Sequence, residues 1–167
     1  DRDFVLCTIH RAENTDDPVR LKNIIEALFE LSGQLPIVVP LHPRTRKILE
    51  SSNCCSFTAN NQNLLLTEPV GYFDMIELLK RTKIVMTDSG GLQKEAYFFR
   101  KQCVTLRDET EWGELVTSGC NSLAGANKEV ILKCFTESLA LDGHFVENLY
   151  GDGASGQKII NLFKPLQ

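Results

Sequence analysis

Short apolar runs alternate along the chain with longer stretches in which apolar residues return every three or four positions. Phe4-Val5-Leu6-Cys7-Thr8-Ile9 is continuous and short, the pattern of a strand buried on both faces. Asp17-Pro18 follows as a helix cap with proline at the first helical position, and Leu21, Ile24, Ile25, Leu28 and Leu31 then recur at helical spacing. Gly33 and Pro36 end that helix. Ile37 to Leu41 predicts a second strand, Thr45 to Ser52 a basic helix, and Ser56 to Asn63 a polar, turn-like stretch. A third strand is expected at Leu64 to Thr67, then a helix with Tyr72, Met75, Ile76 and Leu79 on one face. The fourth strand is Ile84 to Thr87, and Ser89-Gly90-Gly91 opens a helix reaching about Phe99. Cys103 to Leu106 predicts a fifth strand, Glu111 to Thr117 a short helix and Asn121 to Leu123 a sixth strand. Val130, Ile131, Cys134 and Phe135 mark a penultimate helix, and Ser155 to Phe163 the last.

Strands alternating with helices through short links predict an α/β fold, a Rossmann-like parallel sheet of six strands covered on both faces. Its simplest strand order is 3-2-1-4-5-6, with right-handed crossovers. No repeat or linker divides the 167 residues, so one domain is expected. The composition, 43% hydrophobic and 24% charged, is that of a folded globular chain. A net charge of −4 argues against nucleic acid as partner. No apolar run approaches the roughly 20 residues of a membrane helix, and no signal peptide is recognisable. The chain starts with Asp1, as an excised segment would. Of six cysteines none forms a C-x-x-C pair; Cys7, Cys103 and Cys134 fall at apolar positions, as buried reduced thiols do, and Cys54-Cys55 lies in a loop. A reducing cytoplasm is therefore expected.

In such a sheet, ligands sit beyond the carboxyl ends of the strands. Polar clusters fall there: His10, Arg11, Glu13 and Asn14 after strand one, His42 and Arg44 after strand two, Asp88 to Gly91 after strand four, Arg107 and Glu111 after strand five. The sharpest is Thr87-Asp88-Ser89-Gly90-Gly91-Leu92-Gln93-Lys94-Glu95-Ala96. A helix start offers unpaired amides and a positive dipole end, and two glycines let a phosphate approach them. Ser89 either caps the helix or donates to a phosphate. Glu95, one turn beyond Gly91, either accepts from a ribose diol or is a surface glutamate. His10-Arg11 can meet a diphosphate or merely shape a polar loop, and Glu13 and Asn14 either fix that loop or touch ligand. His42-Pro43-Arg44 divides the same way, Pro43 otherwise simply starting the basic helix, whose Arg46 and Lys47 are solvated. Tyr72 and Phe73 either line a base pocket or pack the core. Asp88 reads as structural, Trp112 as packing and His144 as a surface residue. The three histidines are far apart, with no metal-ligand spacing, so no metal site is expected.

Taken together, Thr8-Ile9-His10-Arg11-Ala12-Glu13-Asn14, His42-Pro43-Arg44, Thr87 to Ala96, Leu106-Arg107-Asp108-Glu109-Thr110-Glu111 and Tyr150-Gly151-Asp152-Gly153-Ala154 resemble the non-hydrolysing UDP-N-acetylglucosamine 2-epimerases across nearly the whole chain. The resemblance implies the C-terminal, UDP-binding domain of a two-domain glycosyltransferase-B-like enzyme of polysaccharide and cell-envelope biosynthesis. Such enzymes eliminate UDP from the sugar and add it back with C2 inverted, without metal or organic cofactor. It implies Ser89, Gly90 and Gly91 at the phosphates, Glu95 at the ribose, Tyr72 or Phe73 near uracil, Arg107 at the UDP and His10 at the reacting end. Arg11, Glu13, His42, Arg44 and Glu111 would lie near the sugar or a second, allosteric nucleotide-sugar site. The implied partners are the N-terminal domain of the same enzyme, which brings the acid/base residues, and a second copy in a homodimer. Two departures stand out. The late motif, often Thr-Glu-Arg-Pro-Glu, is here Thr110-Glu111-Trp112-Gly113-Glu114, and the common Arg-Arg-Glu-Asn is here Arg11-Ala12-Glu13-Asn14. Both resemble a sub-branch acting on UDP-2,3-diacetamido uronic acids. Acceptor-using transferases of the same fold and a stand-alone UDP-binding module are the other readings.

Overall fold

The computed structural model describes residues 3–52, 61–141 and 145–163. Cys54, Cys55, His144 and most of the polar stretch after Ser52 lie outside the described residues. Six strands form one parallel sheet: β1 Val5–Thr8, β2 Ile37–Pro40, β3 Leu64–Thr67, β4 Ile84–Thr87, β5 Gln102–Thr105 and β6 Asn121–Leu123. Their spatial order is β3-β2-β1-β4-β5-β6, as the alternation predicts. Leu6 lies beside Val38 on one side and Val85 on the other, so β1 and β4 are the central neighbours from which the crossovers diverge. Loops leaving β1 and β4 turn to opposite faces there, which opens a crevice beyond their carboxyl ends.

Side-chain alternation along the strands builds two cores. Val5, Cys7, Ile37, Val39, Ile84, Met86 and Val104 pack on one face. Helices α2 (Pro18–Leu31) and α7 (Lys128–Ala140) cover that face, the latter through Ile131, Cys134 and Phe135. Leu6, Val85 and Cys103 pack on the other face against Leu79 of α4 (Tyr72–Arg81) and Leu92 and Ala96 of α5 (Gly90–Phe98). Cys7, Cys103, Cys120 and Cys134 are buried free thiols. Burial pushes Cys103 up to about 12, so it is protonated and inert.

Local signals explain the helix starts. The Asp17 carboxylate accepts from the amides of Val19 at 2.8 Å and Arg20 at 3.1 Å, with Pro18 at the first helical position. One element differs from expectation. A one-turn helix α1 (Ala12–Thr15) follows β1 where the sequence reads as loop. The basic helix α3 (Pro43–Ser51) starts at Pro43, the nearer of the two starts the sequence allows, because His42 Nδ1 accepts from the Arg44 amide at 3.2 Å and so caps it. Among the described residues the remaining helices are α6 (Gly113–Thr117) and α8 (Ser155–Leu162), the latter with no buried residue. No helix among the described residues is long and apolar enough to cross a membrane.

Candidate functional site

A cavity of about 430 Å³ opens beyond the carboxyl ends of β1 to β4. Thr8, Ile9 and His10 enter it from β1, Pro40 and His42 from β2, Pro69 and Val70 from the β3 loop, and Ser89 from β4. Gly91, Leu92 and Glu95 of α5 and Met75 of α4 complete its wall. The first amides of α5 lie beside it, at a helix end that favours negative charge. The Ser89 hydroxyl caps α5 only weakly, its oxygen 3.4 Å from the Leu92 amide. The Ser89 amide instead donates to Thr87 Oγ1 at 2.9 Å, and Thr87 and Thr8 hydroxyls meet at 2.6 Å. Residues 91 and 95 share a helix face, so a ligand on the first turn meets the carboxylate on the next. Partial burial holds the Glu95 carboxyl above its ordinary range.

The two glycines serve different neighbours. A Cβ on Gly91 would meet only Ser89 Oγ, at 3.9 Å, so this glycine keeps the cavity side of the helix start clear. A Cβ on Gly90 would stand 3.2 Å from Glu111 Oε2 and 3.6 Å from Trp112 Nε1. Gly90 therefore leaves room for the loop after β5, and its carbonyl accepts from Trp112 Nε1 at 2.8 Å.

His10 stands over a buried carboxylate. Asp88 is fully buried, and its Oδ1 lies 3.1 Å from His10 Nδ1. The amides of His10 and Arg11 donate to Oδ2 at 3.0 Å each, and Asn14 Nδ2 at 3.2 Å. Burial pushes the Asp88 carboxyl upward, but bonds from the His10 ring and the Arg11 and His10 amides outweigh it and hold Asp88 ionised below its ordinary range. Asp88 is structural, as its place in the sequence suggests, in tying the loop after β1, and it also faces the His10 ring. The signal available in the sequence was its place at the end of a central strand, two strands' ends facing each other.

Other expected residues fall elsewhere. Tyr72 and Phe73, 64% and 85% exposed, stand outside the cavity lining, where Val70, Pro69 and Met75 supply the apolar wall. Arg107 also lies outside that lining, its side chain 7% exposed and donating to both Glu111 oxygens at 3.0 Å. Glu13 faces Arg107 Nε at 3.7 Å and Arg20 at 3.8 Å. Arg44 binds both oxygens of Asp16 at 2.7 and 2.8 Å, and Arg11 lies near Glu111 rather than in the lining. Arg46, expected in solvent, donates to the Thr67 carbonyl at 2.9 Å and pairs with Glu68 at 3.1 Å. Trp112 packs edge-on against Tyr150, and Lys94 Nζ sits 4.2 Å from the centre of each ring. Of the expected set the structure thus gathers His10, His42, Ser89, Gly91 and Glu95 in one cavity. Among the described residues no three His, Cys, Asp or Glu side chains are grouped to hold a metal ion.

Residues 1–164 match the family model described as UDP-N-acetylglucosamine 2-epimerase. The chain is 49% identical over 164 residues to the UDP-2,3-diacetamido-2,3-dideoxy-D-glucuronate 2-epimerase of Pseudomonas aeruginosa, covering 98% of this chain and 45% of that protein. The solved UDP-GlcNAc 2-epimerase of Methanocaldococcus jannaschii superposes with a TM-score of 0.91 at 40% identity, over 97% of this chain and 45% of that one. Its complex with UDP-GlcNAc and UDP superposes with a TM-score of 0.87 at 40% identity, over 96% and 45% of the two chains. An E. coli heptosyltransferase shares the fold alone, at 11% identity and a TM-score of 0.60, over 82% of this chain and 44% of its own. The chain spans about half the length of the curated relatives it matches.

Proposed function

The chain belongs to the UDP-N-acetylglucosamine 2-epimerase family, and on that premise we propose that it is the UDP-gripping domain of a nucleotide-sugar 2-epimerase. The observation that carries this reading is the cavity at the crossover point, where Ser89, Gly91 and Glu95 line one wall and His10 another. The diphosphate lies at the start of α5, against its amides and Ser89. Glu95 accepts from the ribose diol, and uracil rests against Val70 and Met75. His10 meets the diphosphate at the reacting end, where it assists departure of UDP or moves a proton. Support for the ligand comes from the M. jannaschii relative, solved with UDP-GlcNAc and UDP.

In the full-length enzyme UDP is eliminated and re-added with C2 inverted. An N-terminal domain supplies the acid/base groups, two copies associate, and the enzyme works in the cytoplasm for polysaccharide or cell-envelope synthesis. The identity to the P. aeruginosa relative favours a second reading of the sugar, a UDP-2,3-diacetamido uronic acid. Trp112-Gly113, in place of the commoner Arg-Pro, fits that branch.

Calorimetric titration of the chain with UDP tests the assignment. Glu95→Ala is expected to weaken binding roughly 10- to 100-fold, the size of a lost hydrogen bond to a charged group, and Ser89→Ala to weaken it less. Unchanged affinity in both variants removes the nucleotide from this cavity.

A further inference from the structure

Asn14 is fully buried and stands outside the cavity lining. Its side chain nevertheless uses three directional bonds. Nδ2 donates to Asp88 Oδ2 at 3.2 Å and to the Leu106 carbonyl at 2.8 Å, and Oδ1 accepts from Arg20 Nε at 3.1 Å. These partners forbid the flipped amide. Turned over, the oxygen would face a carbonyl and a carboxylate, and the NH₂ would face a guanidinium. Arg20 is itself held, its Nη1 pairing with Asp108 Oδ2 at 2.8 Å.

The consequence reaches His10. An ionised carboxylate only accepts, so the hydrogen between Asp88 Oδ1 and His10 Nδ1 belongs to the ring. That leaves Nε2 as the nitrogen with which His10 meets a ligand. Oδ2 takes the Asn14 donor beside the Arg11 amide, the His10 amide is shared between the two oxygens at 3.0 and 3.1 Å, and Oδ1 also faces the ring. We infer that Asn14 and Asp88 are a positioning pair: Asn14 fixes the Asp88 carboxylate in the orientation that receives His10 Nδ1–H, and so keeps His10 in the tautomer whose Nε2 is open. The inference rests on the proposed function only in giving that nitrogen a ligand to meet.

Nitrogen-15 spectra of histidine-labelled chain, recorded without UDP at a pH where imidazoles are neutral, distinguish the two tautomers, and His10→Gln assigns the signal. Wild-type His10 is expected to favour Nδ1–H by roughly tenfold or more. Asn14→Ala is expected to bring the two forms within about threefold of each other. Asp88→Asn, whose amide donates to Nδ1, reverses the preference. A wild-type His10 carrying its hydrogen on Nε2 overturns the inference, as does a folded Asn14→Ala variant with unchanged tautomers. If Asn14→Ala does not fold, Asp88→Asn decides, and Nδ1–H persisting there overturns it. Because no UDP is present, a failure of the nucleotide reading shows only in the titration and leaves this result separate.

Discussion

Partial burial beside the cavity raises the Glu95 carboxyl above its ordinary value of 4.5, while a web of donors holds Asp88 below its ordinary 3.8. The two residues therefore contribute to stability with opposite sign. For Asp88 the folded state prefers the ionised form, so its contribution is present above the ordinary value and fades as pH falls through the depressed one. For Glu95 the folded state prefers the neutral form. Its contribution is complete below 4.5 and is lost as pH rises through the raised value. Ionising Glu95 therefore costs the fold stability, as binding residues often do. Glu95→Gln is accordingly expected to raise the thermal midpoint at pH 7, with the gain shrinking towards zero below the ordinary carboxyl range. Thermal unfolding at several pH values checks this, and a Gln variant less stable at pH 7 contradicts it. Glu95 was legible in the sequence because a helix spaces residues 91 and 95 on one face. Arg107, Tyr72 and Phe73 were not. Sequence position brings a side chain to the right edge of the sheet, but the path of its loop decides whether it enters the cavity or turns to Glu111 or solvent.

The polar caps of α2 and α5 contrast in strength. Asp17 binds two amides of α2 at 2.8 and 3.1 Å, whereas the Ser89 bond to the third residue of α5 is 3.4 Å long. A hydroxyl so loosely engaged can turn to a ligand at little cost to the helix. Asp17→Ala is expected to cost about 1 kcal/mol, the usual worth of a cap, without change in UDP affinity. Ser89→Ala is expected to cost little stability and act mainly on affinity. Paired denaturant and calorimetric titrations separate the two, and a Ser89→Ala variant that loses as much stability as Asp17→Ala refutes the distinction. The larger elements were legible because β1, β2 and β4 are buried on both faces and read as unbroken apolar runs, and because Pro18 and Gly33 bracket α2. Helix α1 was not legible. Four residues carry no period, and its turn is secured by Asn14 bonding to Asp88 and Leu106, 74 and 92 positions away.

At the scale of the whole molecule, the cavity assembles from segments after four different strands, and among the described residues its ionisable lining is His10, His42 and Glu95. His42 Nδ1 is already occupied as the α3 cap, accepting from the Arg44 amide. Glu95 lies on the α5 wall that we assign to the ribose. Inverting a carbon centre by removing and returning a proton needs one group on each face of that carbon, each within roughly 2.6–3.2 Å of the proton. His10, held from behind by Asp88, can serve the departing diphosphate but stands on one side only. Water must also be excluded from the reacting centre, which calls for a surface that closes over the cavity mouth. The chain as described should therefore bind UDP and UDP-N-acetylglucosamine without producing the C2 epimer. Proton NMR of the anomeric signals, followed over hours with the chain at high concentration, reads this directly. Steady appearance of the manno epimer would place a complete acid/base pair within these 167 residues. It would also transfer the second proton-handling role to a lining residue, with His42 the first to replace. Binding without turnover leaves that role to the N-terminal domain that we propose.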